Sequence, residues 1–207
     1  MTTDSPSQDL SIQECWVIFE NWLRDNWQEG YQALNPPITS DQLQLLERSL
    51  DVNLPEDYKE SLRIHNGSSG NVGLIDGQEY LHHEEIIKQW KIWDDLLHEG
   101  MFDDSADEDC DEDYDSQIQP NCWWCSKWVP FTHDGSGDHF CLDLEPSSSG
   151  QSGQVITMWH DSPSRTVLAT SFREYFGRYV IGVISGKFSY SEDYGGIINK
   201  SDLENDD

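Results

Sequence analysis

The chain is short of positive charge. Its 207 residues hold 12 lysines and arginines against 40 aspartates and glutamates, a formal charge of −28. A protein that tracks a phosphate backbone needs clustered Lys and Arg. Nucleic acid is therefore excluded as an expected partner, and a basic protein is favoured, since such a field speeds its approach. The same charge also serves solubility with no partner at all. No apolar run is long enough to span a bilayer, so no membrane role is expected. Met1-Thr2-Thr3-Asp4-Ser5-Pro6 has no basic residue and no apolar run behind it, which gives the expectation of a cytoplasmic chain without a secretory leader. The 5 cysteines are an odd number, and in that compartment they read as reduced thiols.

The motifs of catalysis are missing as well. Gly150-Gln151-Ser152-Gly153 lacks the spacing of a nucleophile elbow. The acidic run from Asp107 alternates carboxylates like a calcium loop, but Glu112 stands where that loop needs glycine and Ile118 where it needs glutamate. His133-Asp134-Gly135-Ser136-Gly137-Asp138-His139 has the glycines of a phosphate loop without its lysine. Cys122-Trp123-Trp124-Cys125 has metal spacing, but one such pair supplies half a zinc site, and a strand follows it where a redox pair needs a helix. No cofactor and no metal are expected, and no enzyme.

What is present is periodicity. Ser11-Ile12-Gln13-Glu14 has the capping-box pattern, followed by Trp16, Phe19, Leu23 and Trp27 at helical spacing. Thr39-Ser40-Asp41-Gln42 opens a second helix, Pro55 a third with Tyr58 and Leu62 on one face, and Ile86, Trp90, Trp93 and Leu97 mark a fourth over about His83–His98. Asp76-Gly77 predicts a hairpin between Val72–Ile75 and Glu79–Leu81. Strands are predicted at Lys127–Phe131, Phe140–Leu144, Gln154–Trp159 and Thr166–Thr170, and Ser171-Phe172-Arg173-Glu174 caps a closing helix. Helices, then strands, then a helix predict an α+β fold with a twisted, mostly antiparallel sheet and helices packed on one face. The expected organisation is a loose leader (1–10), one domain (11–186) with a disordered acidic insertion at 103–119, and a weakly attached acidic tail (187–207). The insertion carries nine acids and the tail four, yet the remainder still holds −15 of the −28.

Four residues are the candidate partner-binding set. Asp134 and Asp138 flank the glycines of the 133–139 turn and could cradle a cation or meet a partner's Arg or Lys; equally, they could bond the turn's own amides. Asp143, within a strand, either faces solvent or joins them. Trp128, beside Pro130 in an edge or bulge segment, is either an exposed anchor or core filling.

The order of short motifs resembles the SUKH superfamily, the group of fungal cell-wall assembly regulators and many bacterial toxin-immunity proteins. The matching residues are Leu34-Asn35-Pro36-Pro37, Leu46-Glu47, Leu54-Pro55-Glu56-Asp57-Tyr58, Ile64-His65-Asn66-Gly67, Gly73-Leu74, Tyr80-Leu81 and the Trp90 helix. Lys127-Trp128-Val129-Pro130-Phe131, Gly137-Asp138, Cys141-Leu142-Asp143-Leu144, Pro146, Gly153-Gln154-Val155 and Ser171-Phe172 continue the series. The series runs from about residue 12 to about 186. The acidic insertion and the cysteines around Trp123-Trp124 depart from it. The resemblance implies a SUKH-like fold and a non-enzymatic protein-binding role: an immunity-type protein neutralising a basic toxin domain such as a nuclease, or a regulatory scaffold binding cellular enzymes. A small hydrolase using the aspartates is the third reading.

Overall fold

The computed structural model describes residues 10–102, 114–120 and 123–203. Its first half is helical, and the capping signals start the helices where they should. In α1 (Ile12–Asn26), Ser11 Oγ accepts from the Glu14 amide while the Glu14 carboxylate accepts from Ser11 N. After α2 (Gln28–Ala33), Thr39 and Gln42 cap α3 (Ser40–Leu50) reciprocally, and α4 (Glu56–Leu62) begins behind Pro55. Then come β1 (Glu79–Tyr80) and α5 (His83–His98). The second half supplies β2 (Trp128–Pro130), β3 (Thr132–His133), β4 (His139–Asp143), β5 (Gln154–Met158), β6 (Val167–Ala169) and α6 (Phe172–Ile184). A hairpin of β7 (Phe188–Ser191) and β8 (Gly196–Asn199) and a short α7 (Lys200–Leu203) follow.

The fold is α+β, with a central antiparallel sheet in the order β2-β4-β5-β6. The stripes of α1, α4 and α6 pack on one face of it, against Val129, Phe140, Leu142 and Val155. Trp16 anchors this core: its indole N–H donates to Ser61 Oγ at 2.8 Å, and its ring packs on Phe176 at 4.7 Å. The opposite face is covered too. Trp128, Cys141, Ile156 and Met158 lie under Trp93 of α5, Ile118 and Trp124. This is why β4 and β5 are buried at every position rather than alternately.

Several local expectations change in three dimensions. The Asp76-Gly77 turn forms, with φ of 49° and 77°, but closes only the bridge between Ile75 and Gln78. β1 pairs instead with β3, Glu79 opposite His133. Ser171 caps α6, whereas Glu174 reaches past it to the Thr170 amide at 2.8 Å. Residues 188–199 are attached, not loose: Phe188, Ile197 and Ile198 are buried, and Gly196 pairs with Gly73. A Cβ on Gly196 would stand 2.7 Å from the Gly73 carbonyl oxygen, so this contact requires glycine. Residues 1–9 and 204–207 lie outside the described residues, as do 103–113 of the expected disordered insertion. Its other end is packed: Ile118 is buried, Tyr114 bridges to Arg165, and the Asp115 carboxylate accepts from Val167 N at 2.7 Å.

Candidate functional site

The 133–138 turn is built by Asp134. Its Oδ1 accepts from the amides of Ser136, Gly137 and Asp138 at 2.8, 2.9 and 2.8 Å, and its Oδ2 from the Ser136 hydroxyl. Partial burial works to raise the Asp134 pKa, but these bonds outweigh it and hold the carboxyl below its usual range. Gly135 and Gly137, at φ of 93° and 125°, supply the left-handed backbone that such a tight ring needs. Asp134 thus shapes the turn and keeps its negative charge at the surface.

Asp138 looks outward to the end of β5. Its Oδ1 accepts from both the His160 amide and His160 Nδ1, each at 2.8 Å. The Asp138 hydrogen bond is the main cause of a raised His160 pKa. With Asp161 these side chains bring three possible ligand atoms within 4.8 Å of one another, the closest the described residues come to a cation site.

The turn also walls a polar cleft that sequence reasoning did not find. Its volume is about 450 Å³, and Glu79, His82, Glu85, Lys88, His133 and Gly135 line it. Glu79 has its pKa raised by burial, with His133 across the strand pair partly offsetting this. Lys88 is held by Glu85 at 2.9 Å. The cleft therefore offers carboxylate and imidazole acceptors and keeps its one cation occupied. Pairing of β1 with β3 assembles it, joining residues more than fifty positions apart. No short motif of the sequence marks it. Gly67, at φ 66°, lets its loop pass directly against the backbone of Leu81 and His82, where a Cβ would collide.

Two of the candidate residues are elsewhere. Trp128 and Asp143 are cross-strand neighbours on the sheet face beneath α5, and both are fully buried. Trp128 is core filling, packed edge-on against Trp124 at 6.1 Å, and cannot be an exposed anchor. Asp143 meets neither solvent nor the turn: Gln154 Nε2 and the Glu145 amide donate to it at 2.8 and 3.1 Å. Burial drives its pKa up to about 6, against those bonds. Parity is the reason. Positions 139, 141 and 143 share one face of β4, and that face is sealed.

The opposite end of the sealed face holds His139. Its Nδ1 donates to the Thr132 carbonyl at 2.7 Å, and its Nε2 accepts from the Trp93 indole at 3.2 Å. Burial pushes its pKa down to about 4, so it is neutral and fully bonded. Cys141 between them is a buried free thiol. Cys122 lies outside the described residues.

These residues fall within a stretch recognised in other proteins. The model of the SMI1/KNR4 family (SUKH-1) matches residues 37–178, more than half of the chain. The chain belongs to the SMI1/KNR4 family. Among curated relatives, the glucan synthesis regulatory protein of Neurospora crassa is 24% identical over 213 residues, covering 88% of this chain and 40% of that protein. The cell wall biosynthesis/cell cycle regulator smi1 of Schizosaccharomyces pombe is 27% identical over 203 residues, with 91% and 39% covered. The cell wall assembly regulator SMI1 of Saccharomyces cerevisiae is 21% identical over 209 residues, with 86% and 41% covered. The chain spans about 40% of the length of these relatives. Among the described residues, no helix is long and apolar enough to cross a membrane.

Proposed function

We propose that this SMI1/KNR4 domain is a non-enzymatic regulatory module that docks a basic segment of a partner protein at the acidic cleft and the adjoining 133–138 turn. The observation that carries the reading is that Gly135 and His133 belong at once to the Asp134-built turn and to the cleft wall. Surface carboxylates that steer a basic partner thus stand beside a recess where Glu79 can receive a Lys or Arg side chain. The relatives' names as regulators of wall synthesis and assembly support a regulatory scaffold over neutralisation of a toxin.

The test is photocrosslinking from position 136 in the native host, followed by binding kinetics with the captured partner at several salt concentrations. Salt should slow association far more than it speeds dissociation, and Asp138→Lys or Glu79→Lys should reduce the association rate. An association rate indifferent to salt and to both reversals overturns the reading. So does substrate turnover that Asp134→Ala or Asp138→Ala abolishes.

A further inference from the structure

The inner face of the sheet runs past the end of its helical cover and leaves a groove of about 420 Å³, well within the range of ligand sites. Phe140, Trp159 and Leu168 from the strands and their ends face Tyr175 and Tyr179 of α6, and Phe188 closes the end. Phe140, Tyr179 and Phe188 are buried members of the main core, and Trp159, Leu168 and Tyr175 pack against it half-buried, so the apolar floor carries the core out to the surface.

Its polar groups are unequal. The Tyr179 hydroxyl is spent on the Leu74 carbonyl at 2.7 Å, and Arg178 on Glu174 at 2.5 Å and the Leu168 carbonyl at 3.1 Å. Asp76 is the one acid in the lining. The Tyr175 hydroxyl, the Trp159 indole N–H and the Lys187 ammonium, by contrast, have no hydrogen-bond acceptor or ion-pair partner among the described residues. Lys187 rests over the Phe188 ring at 5.2 Å, and Lys200 joins it through a backbone bond from its amide to the Lys187 carbonyl at 3.0 Å. With Arg178 neutralised by Glu174, Lys187 is, among the described residues, the unpaired cation of the lining, and in a chain with 12 basic residues and 40 acidic ones such a lysine beside an aromatic floor is a local exception to the acidic surface. Donors without acceptors and an unpaired cation at the rim fit an anion carrying an apolar group.

We propose that this groove docks a partner peptide segment that presents an aromatic or branched aliphatic side chain beside a carboxylate. The aromatic floor takes the apolar side chain, and Lys187, with the Tyr175 and Trp159 donors, takes the carboxylate. The choice of a peptide over a free small acid rests on the protein-binding reading above; the charge it must carry does not.

The experiment is fluorescence anisotropy of a labelled synthetic peptide alternating aspartate with phenylalanine, titrated with the full chain. Because the body of the protein repels such a peptide, binding must come from the groove itself. The expected result is binding that weakens roughly tenfold or more when serine replaces phenylalanine or lysine replaces aspartate. Lys187→Glu should weaken it roughly three- to tenfold with an unchanged melting temperature, and Trp159→Ala should weaken it further. Where Trp159→Ala compromises folding, Lys187→Glu alone decides. Absence of binding, equal binding of the lysine-bearing peptide, or indifference to Lys187→Glu overturns the proposal, and phenylacetate binding more tightly than the peptide overturns the peptide assignment. Lys187→Glu should leave the salt-dependent association at the acidic cleft unchanged, so the two readings fail separately.

Discussion

Asp138 and Asp143 flank the same strand and live in opposite worlds. Asp138 precedes β4 in an open turn, shares its carboxylate with His160, and keeps 22% of its side-chain surface in water. Asp143 ends the strand under the α5 slab with none exposed. The difference teaches that acidity in this chain is not one property. On the turn and cleft it is a field available to a partner. Under the slab it is a cost, because a buried carboxylate gives up hydration that two hydrogen bonds replace only in part. His139, at the other end of the sealed face, carries the complementary cost and resolves it by staying neutral.

The largest effect that tests this contrast is at Trp128. Trp128→Ala should lower stability by about 3–5 kcal/mol in urea denaturation, the usual result of emptying a core aromatic. Unchanged stability with lost partner binding would put Trp128 back at the surface and break the comparison.

The second effect is on pH dependence. The folded pKa of His139 lies near 4, below its ordinary 6.5, so the unfolded chain takes up a proton that the native one refuses. Its contribution is present at high pH and lost as pH falls from about 6.5 to about 4, on the order of 3 kcal/mol in all. Asp143 has the reverse sign. With a folded pKa near 6 against 3.8, its contribution is full below 3.8 and lost as pH rises through 6, again about 3 kcal/mol. Between pH 4 and 6 the two slopes oppose each other. Asp143→Asn should therefore make stability fall more steeply than wild type on acidification through that window, and His139→Asn should make it rise. Parallel stability–pH curves for the two variants would show that these ends of β4 are not sealed as described.

Smaller effects belong to the open end. Asp134→Ala removes the acceptor of three turn amides and should cost about 1 kcal/mol, read from the melting temperature. Asp138→Asn should leave stability unchanged and move only the His160 titration, followed by NMR, back toward the ordinary imidazole value. A His160 titration that stays high in this variant would remove Asp138 as its partner.

Much of the fold was legible because its signals are local. Ser11 and Thr39 form their predicted caps, the helical stripes of α1 and α3 are buried, that of α5 is buried at Ile86 and Trp93 and half-buried at Trp90 and Leu97, and the four predicted strands form the central sheet. The acidic turn was legible too, since Asp and Gly at those spacings dictate it. Signals that depend on partners distant in sequence were not. Nothing local says that Glu79 pairs with His133 and makes a cleft, or that the 188–199 hairpin is fixed by the meeting of Gly73 and Gly196.

The sequence by itself determined the helix starts, the antiparallel sheet, the charge and the family, since each rests on residue type and short spacing. Only the tertiary structure decided which acids reach a partner. Alternation along β4 fixes that positions 139, 141 and 143 share a face, but not whether water or tryptophan covers it. That choice came from α5 and residues 114–120 and 123–128 folding across the sheet, where the aromatic area they bury outweighs the cost of sealing in one carboxylate and one imidazole.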